Sequence, residues 1–286
     1  MKSNAIVRIV IFSIVILVLL SILGVGIAAS QYMTRWDTPF IGSEGTASST
    51  GTVDADVVQN LSIEWAAGTI TIRPADVTQI VLTETASTKD DPMVWIQSGD
   101  TLKVASVKED KLFHTGSIPS KDLLIEVPWD WDCGTLEIDT ASADVMVEDL
   151  TIYKVDFDGA SGVFRFTSCT VDTLDIDTAS GDISYTGSLN FLDCDAASAN
   201  CEIILTNHPA RIEMDMASGD LDLTLPGDCG FTANLESLSG KLDTDFEVSH
   251  TDKGIIAGDG SCRIDVSAMS GNVNIHKGSE ATNCDH

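Results

Sequence analysis

The residues of this chain best able to do chemistry are carboxylates spaced two apart: Asp156 and Asp158, Asp175 and Asp177, Asp193 and Asp195, Glu213 and Asp215. Side chains two apart on an extended strand share a face, so each pair offers hard oxygen ligands to one side. Asp175, Asp177, Asp193 and Asp195, from consecutive pairs, could hold calcium between neighbouring strands. The sequence matches neither the EF-hand loop nor the glycine-rich calcium repeat. A solvated acidic face is the plainer reading, because runs of charge usually face water; a basic protein or peptide partner is the third. Calcium is the one cofactor the pattern suggests.

Paired acids can also serve as acid and base in polysaccharide cleavage. That chemistry needs two carboxylates in divergent environments, whereas these recur as a series. The five histidines, at 114, 208, 250, 276 and 286, sit at no metal or triad spacing, and no set of nucleophile, base and orienting group assembles. The expectation is a protein that is not an enzyme, with a carbohydrate-active enzyme as the least favoured reading. Trp129 and Trp131, in VPWDWDCG, alternate to one face and could stack on sugar rings or cover a packed edge.

The carboxylates must be positioned by something that repeats. Aligning on the serine of a recurrent Ala-Ser-Gly turn gives Ser142, Ser161, Ser180, Ser198, Ser218, Ser239 and Ser270, with steps of 19, 19, 18, 20, 21 and 31. Ala67, in LSIEWAAGTITI, marks an earlier copy. Four residues before the anchor stand Ile63, Ile138, Phe157, Ile176, Cys194, Met214, Leu235 and Val266; three after it stand Ile70, Val145, Phe164, Ile183, Cys201, Leu221, Leu242 and Val273. Apolar residues recurring every second position indicate strands with one buried face, and a fixed period near 19 indicates stacked repeats. The acids fall on the outward positions: Glu64, Asp139, Asp158, Asp177, Asp195, Asp215 and Glu236 three before the anchor, Glu137, Asp156, Asp175, Asp193, Glu213 and Asp265 five before it.

The fold expected is all-β: a β-solenoid of roughly 19-residue coils with a less regular β region before it. An antiparallel hairpin meander is the alternative, since a two-residue turn at Ser180-Gly181 would create the same local pairs. Preservation of residue type down each column favours the solenoid. The long step from Ser239 to Ser270 calls for a loop or extra strand within residues 246–261, where a Cys229–Cys262 disulfide could clamp its base.

Composition narrows the partners. A net charge of -28 from 16 Lys+Arg and 44 Asp+Glu excludes nucleic acid, which binds through clustered cations. The excess lies mainly after residue 121, where 32 acidic residues face 7 basic ones. Ile9 to Ala29 form 21 residues without a charge, long enough to span a bilayer, and Lys2 and Arg8 ahead of them place the amino terminus in the cytoplasm. A cleaved signal is the rival reading, against which the length of the apolar run speaks. The expected organisation is a cytoplasmic tail at 1–8, a transmembrane helix at 9–29, a flexible linker at 30–52, an irregular β region or solenoid cap at 53–130, the solenoid at 131–278 and a tail at 279–286. The seven cysteines, all from Cys133 onward, form no CxxC pair and suggest neither zinc nor thioredoxin chemistry.

The apolar anchor, the Gly/Ser/Thr-rich spacer, LLIEVP leading into TLEIDTAS, and the recurrent ASGD turns resemble the bacterial "putative adhesin" β-strand-repeat family of membrane-anchored surface proteins. The resemblance implies a solenoid-like all-β fold and a surface role with no catalytic residues to carry over. The functional expectation is a membrane-anchored extracellular module for adhesion or cell-envelope interaction, its partners the membrane through the first helix and a cell-wall polymer or surface protein. A sensory or regulatory accessory of an envelope-stress system is the alternative.

Overall fold

The computed structural model describes residues 45–86, 92–106, 120–251 and 254–280. The apolar segment 9–29 lies outside them; among the described residues no helix is long and apolar enough to cross a membrane. In chain order the strands are β1 (Thr46–Ala47), β2 (Thr50–Asp54), β3 (Asn60–Ala75), β4 (Gln79–Ala86), β5 (Val94–Ser98), β6 (Thr101–Ala105) and β7 (Lys121–Pro128) in the amino-terminal part. The repeats follow as β8 (Cys133–Glu148), β9 (Thr151–Gly159), β10 (Val163–Leu205), β11 (Arg211–Ser218), β12 (Leu221–Leu225), β13 (Phe231–Ser239), β14 (Leu242–Thr244), β15 (Val248–His250), β16 (Ile255–Ala257), β17 (Cys262–Ser270) and β18 (Val273–Lys277).

Pairing between successive coils is parallel and in the register the columns require. Ile138 lies beside Phe157 and Asp139 beside Asp158; Phe157 in turn meets Ile176, and Asp158 meets Asp177; Cys194 meets Met214, and Asp195 meets Asp215. Hairpins at the Ser-Gly turns would pair these strands antiparallel, so the solenoid holds and the meander does not. Ile176 and Ile183 are buried, Asp177 is exposed and Asp175 half-buried, as a period of two demands. The interior is one side chain deep from either wall, which is why Phe157 and Phe164, on opposite sides of one turn, touch edge to face.

The turn glycines answer a steric need. Gly181 has φ +153°, and a Cβ there would sit 2.2 Å from the Gly162 carbonyl oxygen of the coil below. At Gly219, φ is +137° and the same atom would fall 1.7 Å from the oxygen of Ala199. Only glycine allows the backbones of stacked turns to approach so closely.

The coils are not stacked in the order in which the chain makes them. β17 pairs with β11 through Met214–Val266 and Ser218–Ser270, and with β13 through Leu235–Val266 and Ser239–Ser270. The last coil in sequence therefore lies between its two predecessors, and the 231–244 coil is outermost. The other end mirrors this: β3 pairs directly with β8, Ala67 opposite Ser142, while β6 and β7 form a coil on its far side. Each terminal coil thus has a neighbour above and below.

Antiparallel strands finish both ends. β4 runs along β7 and β2 along β4; β5 pairs with β6 and β1 with β5. At the other end β16 pairs with β13 and β15 with β16, placing two extra strands in the 246–261 insertion. Such strands cover edges that would otherwise template aggregation. Within residues 53–130 the described strands accordingly make two coils plus a cap, and β1 and β2 bring residues 46–54 into the sheet, where a linker is expected as far as residue 52. Inside this cap Lys121 Nζ, fully buried, donates to the Ser106 carbonyl at 2.6 Å and pairs with Glu84 at 3.2 Å.

Candidate functional site

The acidic sheet is two ladders with different chemistry. The ladder five residues before each turn is neutralised in part, from the adjoining outward column: Lys154 Nζ lies 2.8 Å from Asp156, Arg211 pairs with Glu213 and approaches Asp193 at 4.0 Å, and Arg263 pairs with Asp265. Asn234 donates to Asp265 at 2.8 Å and Ser62 to Glu137 at 2.7 Å. Asp265 stays below the ordinary carboxylate range despite losing some water, held there by Asn234 and Arg263. The column of Lys154, Arg211 and Arg263, seven before the anchor, was readable in the sequence but carries no uniform residue type to draw attention.

The ladder three before the turn behaves otherwise. Asp177 and Asp195 reach solvent at their tips, yet neighbours above and below strip water from their sides, and this loss pushes each up to about 6. Repulsion adds to it, from Asp158 and Asp175 on Asp177 and from Asp177 and Asp215 on Asp195. Asp175 is raised as well, by loss of water first and then by Asp156, with Lys154 opposing. The four candidate calcium ligands therefore lie together as two columns on one sheet. They do not converge: among the described residues no three His, Cys, Asp or Glu side chains are arranged to hold a metal ion.

A second polar ladder follows the turns, two residues after the anchor. Asn200 Nδ2 donates to Asp182 at 3.3 Å, the Asp220 amide to Asn200 Oδ1 at 3.5 Å, and both the Asn272 amide and Nδ2 to Asp220 Oδ1, at 2.7 and 3.2 Å. Alternating Asp and Asn gives each acceptor a donor on the next coil, so this face is internally satisfied. Of the histidines, His208 lies 3.1 Å from Asp228 and His276 lies 3.1 Å from Asp245; His250 is exposed, and His114 and His286 fall outside the described residues.

The cysteines at 133, 169, 194, 201, 229 and 262 are buried free thiols. Burial pushes Cys133 and Cys262 up to about 12 and Cys169 and Cys229 to about 11, so at neutral pH they are inert core residues. Cys194 is raised as well, by its hydrogen bond with Cys201 and then by burial. Cys229 and Cys262 meet closely enough to act on each other electrostatically, but the disulfide clamp expected between them is not formed. The tryptophans part company too: Trp131 is buried, its Nε1 donating to the Val58 carbonyl at 2.8 Å, whereas Trp129 is 69% exposed. The two rings share no sugar-stacking face, because Trp131 belongs to the core.

A groove of about 520 Å³ runs instead across the corner where each coil enters its first strand. One row along it is Asp132, Thr151, Thr170 and Ser188; the other, two residues on, is Gln59, Gly134, Tyr153, Asp172 and Asn190. Between the rows Cys133, Ile152, Val171 and Leu189 point into the core. Tyr153 is 69% exposed, and Asp172 accepts from Asn190 at 2.8 Å and Thr173 at 3.3 Å. The sequence gives little warning of this row, because its positions share no residue type.

Among solved structures the chain is similar to a "putative cell adhesion protein" from Clostridium sporogenes, at 10% identity over 82% of this chain and 100% of the other, with a TM-score of 0.39. It is similar to a "putative adhesin" from Bacteroides fragilis at 15% identity, over 79% and 95% of the two chains, with a TM-score of 0.44. For a "Putative lipid binding protein" from Parabacteroides distasonis the identity is 14%, the coverage 82% and 97%, and the TM-score 0.39. None of the curated proteins matches it. The Toastrack DUF4097 family model matches residues 125–276, which span β8 to β18 and the end of β7, more than half the chain, and the chain therefore belongs to that family.

Proposed function

We propose that this chain is a non-catalytic recognition module, held at the outer face of a membrane by residues 9–29 and presenting its coils to a cell-wall polymer or surface protein. The observation that supports this reading is the register of the outward columns. Parallel stacking repeats each side-chain position about every 4.8 Å along rigid sheets, a geometry suited to extended or repetitive partners rather than to a small substrate in an enclosed pocket. The acidic balance directs it away from polyanions.

The test is photo-crosslinking in intact cells from an exposed position such as Ser198, combined with protease added from outside. Crosslinks to wall polymer or to a surface protein, with the β region digested while membranes stay sealed, are expected. Crosslinks confined to a membrane kinase or regulator would replace adhesion with the sensory reading, and protection of the β region from external protease would overturn the orientation.

A further inference from the structure

The carboxy-terminal end of the stack carries an inference that deepens, and rests on, the reading of this chain as an envelope-recognition module. The two ends are covered unequally. At the amino-terminal end β5 runs the length of β6, and β4 covers β7 over residues 121–126. At the other end β16 covers β13 only over residues 231–233, and among the described residues no strand pairs with the outer edge of 234–239 or of β14. The core is open at the same place. In the columns four before and three after the turn every side chain is buried except Leu235 and Leu242, the pair in this outermost coil. One residue before the turn, six of the eight aligned coils place alanine, as at Ala179 and Ala217, whereas the two outermost place Met269 and Leu238. Leu238 is 56% exposed.

An unpaired strand edge selects its own kind of partner. Its free N–H and C=O groups are satisfied by a further strand, with main-chain hydrogen bonds supplying affinity and side chains supplying selectivity. Apolar side chains of such a strand would complete the core over Leu235 and Leu242 and meet Leu238 at the turn. Its outward side chains would meet carboxylates: Glu236, Asp243, Asp245 and Glu247 are exposed, and Lys241 is the one cation in the sequence from 234 to 247. Opposite charges across a strand pair stabilise it and like charges oppose it. A second copy is disfavoured on this ground, because a two-fold contact presents the same patch from both sides and would set these acids against themselves on chains of net charge -28. A polysaccharide offers no strand to pair with the edge.

We propose that this end of the stack docks an extended segment of a partner protein, alternating apolar with Lys or Arg side chains, as an added strand along residues 235–239. A surface protein, rather than a wall polymer, is then the partner class of the module.

The experiment titrates the full chain in detergent with two peptides of about eight residues, one alternating valine with lysine and one valine with glutamate, read by calorimetry and hydrogen exchange. Saturable binding, about tenfold or more tighter for the lysine peptide, is expected, with new amide protection confined to 234–244. Leu238→Ser should weaken it about fivefold, and Glu236→Lys with Asp243→Lys should reverse the preference between the peptides. All three positions are exposed, so these variants should melt as the parent does. No saturable binding of the lysine peptide at about 1 mM, protection along the acidic ladders at Asp177 and Asp195 in place of 234–244, or an unreversed preference overturns the proposal. So does a concentration-dependent dimer in sedimentation that Leu238→Ser dissolves, which gives the end to a second copy. Retention of the chain on isolated cell-envelope material is measured in parallel, before and after protease treatment of that material. Retention should be lost in the charge-reversed variant and after protease; survival after protease overturns the protein partner in favour of a polymer. Equal retention of parent and charge-reversed variant removes the open end as the site while leaving envelope recognition standing, whereas failure of both to be retained removes the broader reading as well.

Discussion

Single aspartates in this fold differ by what lies one coil away, not by their position in the repeat. Asp177 and Asp195 bind a proton near pH 6 in the folded chain, against an ordinary value of 3.8. Between those values the folded state holds more protons than the unfolded one, so the contribution is fully present below 3.8 and is lost as pH rises through about 6. Melting temperature, followed by circular dichroism from pH 4 to pH 8, should therefore fall across that window. Asp177→Asn with Asp195→Asn should flatten this dependence and raise the melting temperature at pH 7; an unchanged profile would mean the ladder is relaxed by water. Asp265 acts in the opposite sense, but only as pH falls below 3.8. Because the four candidate ligands do not converge, calcium chloride and sodium chloride at equal ionic strength should stabilise the chain alike by screening. A saturable calcium increment that vanishes when Asp175, Asp177, Asp193 and Asp195 all become Asn would restore the metal site.

At the scale of one coil, the two strands meet across a core a single side chain thick from each wall, so each inward residue has no second layer to collapse into its place. Ile183, 3% exposed, should cost about 2 to 5 kcal/mol when cut to Ala, while the exposed Asp177→Asn should cost nothing or stabilise. Chemical denaturation of the two variants separates them, and equal losses would contradict the face assignment. The turn is equally intolerant: Gly219→Ala forces a left-handed φ on alanine and drives its Cβ into the Ala199 carbonyl, so it should be more damaging than Ser218→Ala at the neighbouring exposed position.

For the whole molecule the decisive feature is that both terminal coils are tucked one place inward. A chain stacked in sequence order would fray from its last coil. Here β17 and β18 are paired on both sides, by β11 and β12 and by β13 and β14, and Val266, Val273 and Ile275 are buried. In the outer coil Leu235 and Leu242 are only partly covered and Leu238 is exposed. Native-state hydrogen exchange should find the amides of 264–275 better protected than those of 242–250, although they come later in the chain. The reverse order would restore sequential stacking. Ending the chain near residue 250 should then cost more than one coil, because the 231–244 coil would lose the surface on which it sits.

The strand period, the inward and outward faces, the turn glycines and the acidic character of one sheet are all legible in the residue pattern. Each of these follows from local alternation and from sterics within a single turn, as in Ile176, Asp177, Gly181 and Ile183. Residue type kept down the columns even favoured parallel stacking. Tertiary structure alone decided the order of the coils, because coils bearing nearly the same columns can lie on one another in several arrangements. The differences between them are small and long-range. Asn274 donates to Asp222 at 2.7 Å and Asn272 to Asp220, and His276 stands between Asp222 and Asp245; these pairings exist only with the last coil inserted. Thr244, where the other coils place Ile72, Val147, Phe166, Tyr185, Ile203, Leu223 and Ile275, was the one local trace that its coil closes the stack. The corner groove has the same origin: Gln59, Gly134, Tyr153, Asp172 and Asn190 line it from separate coils, a relation that no window of the sequence contains.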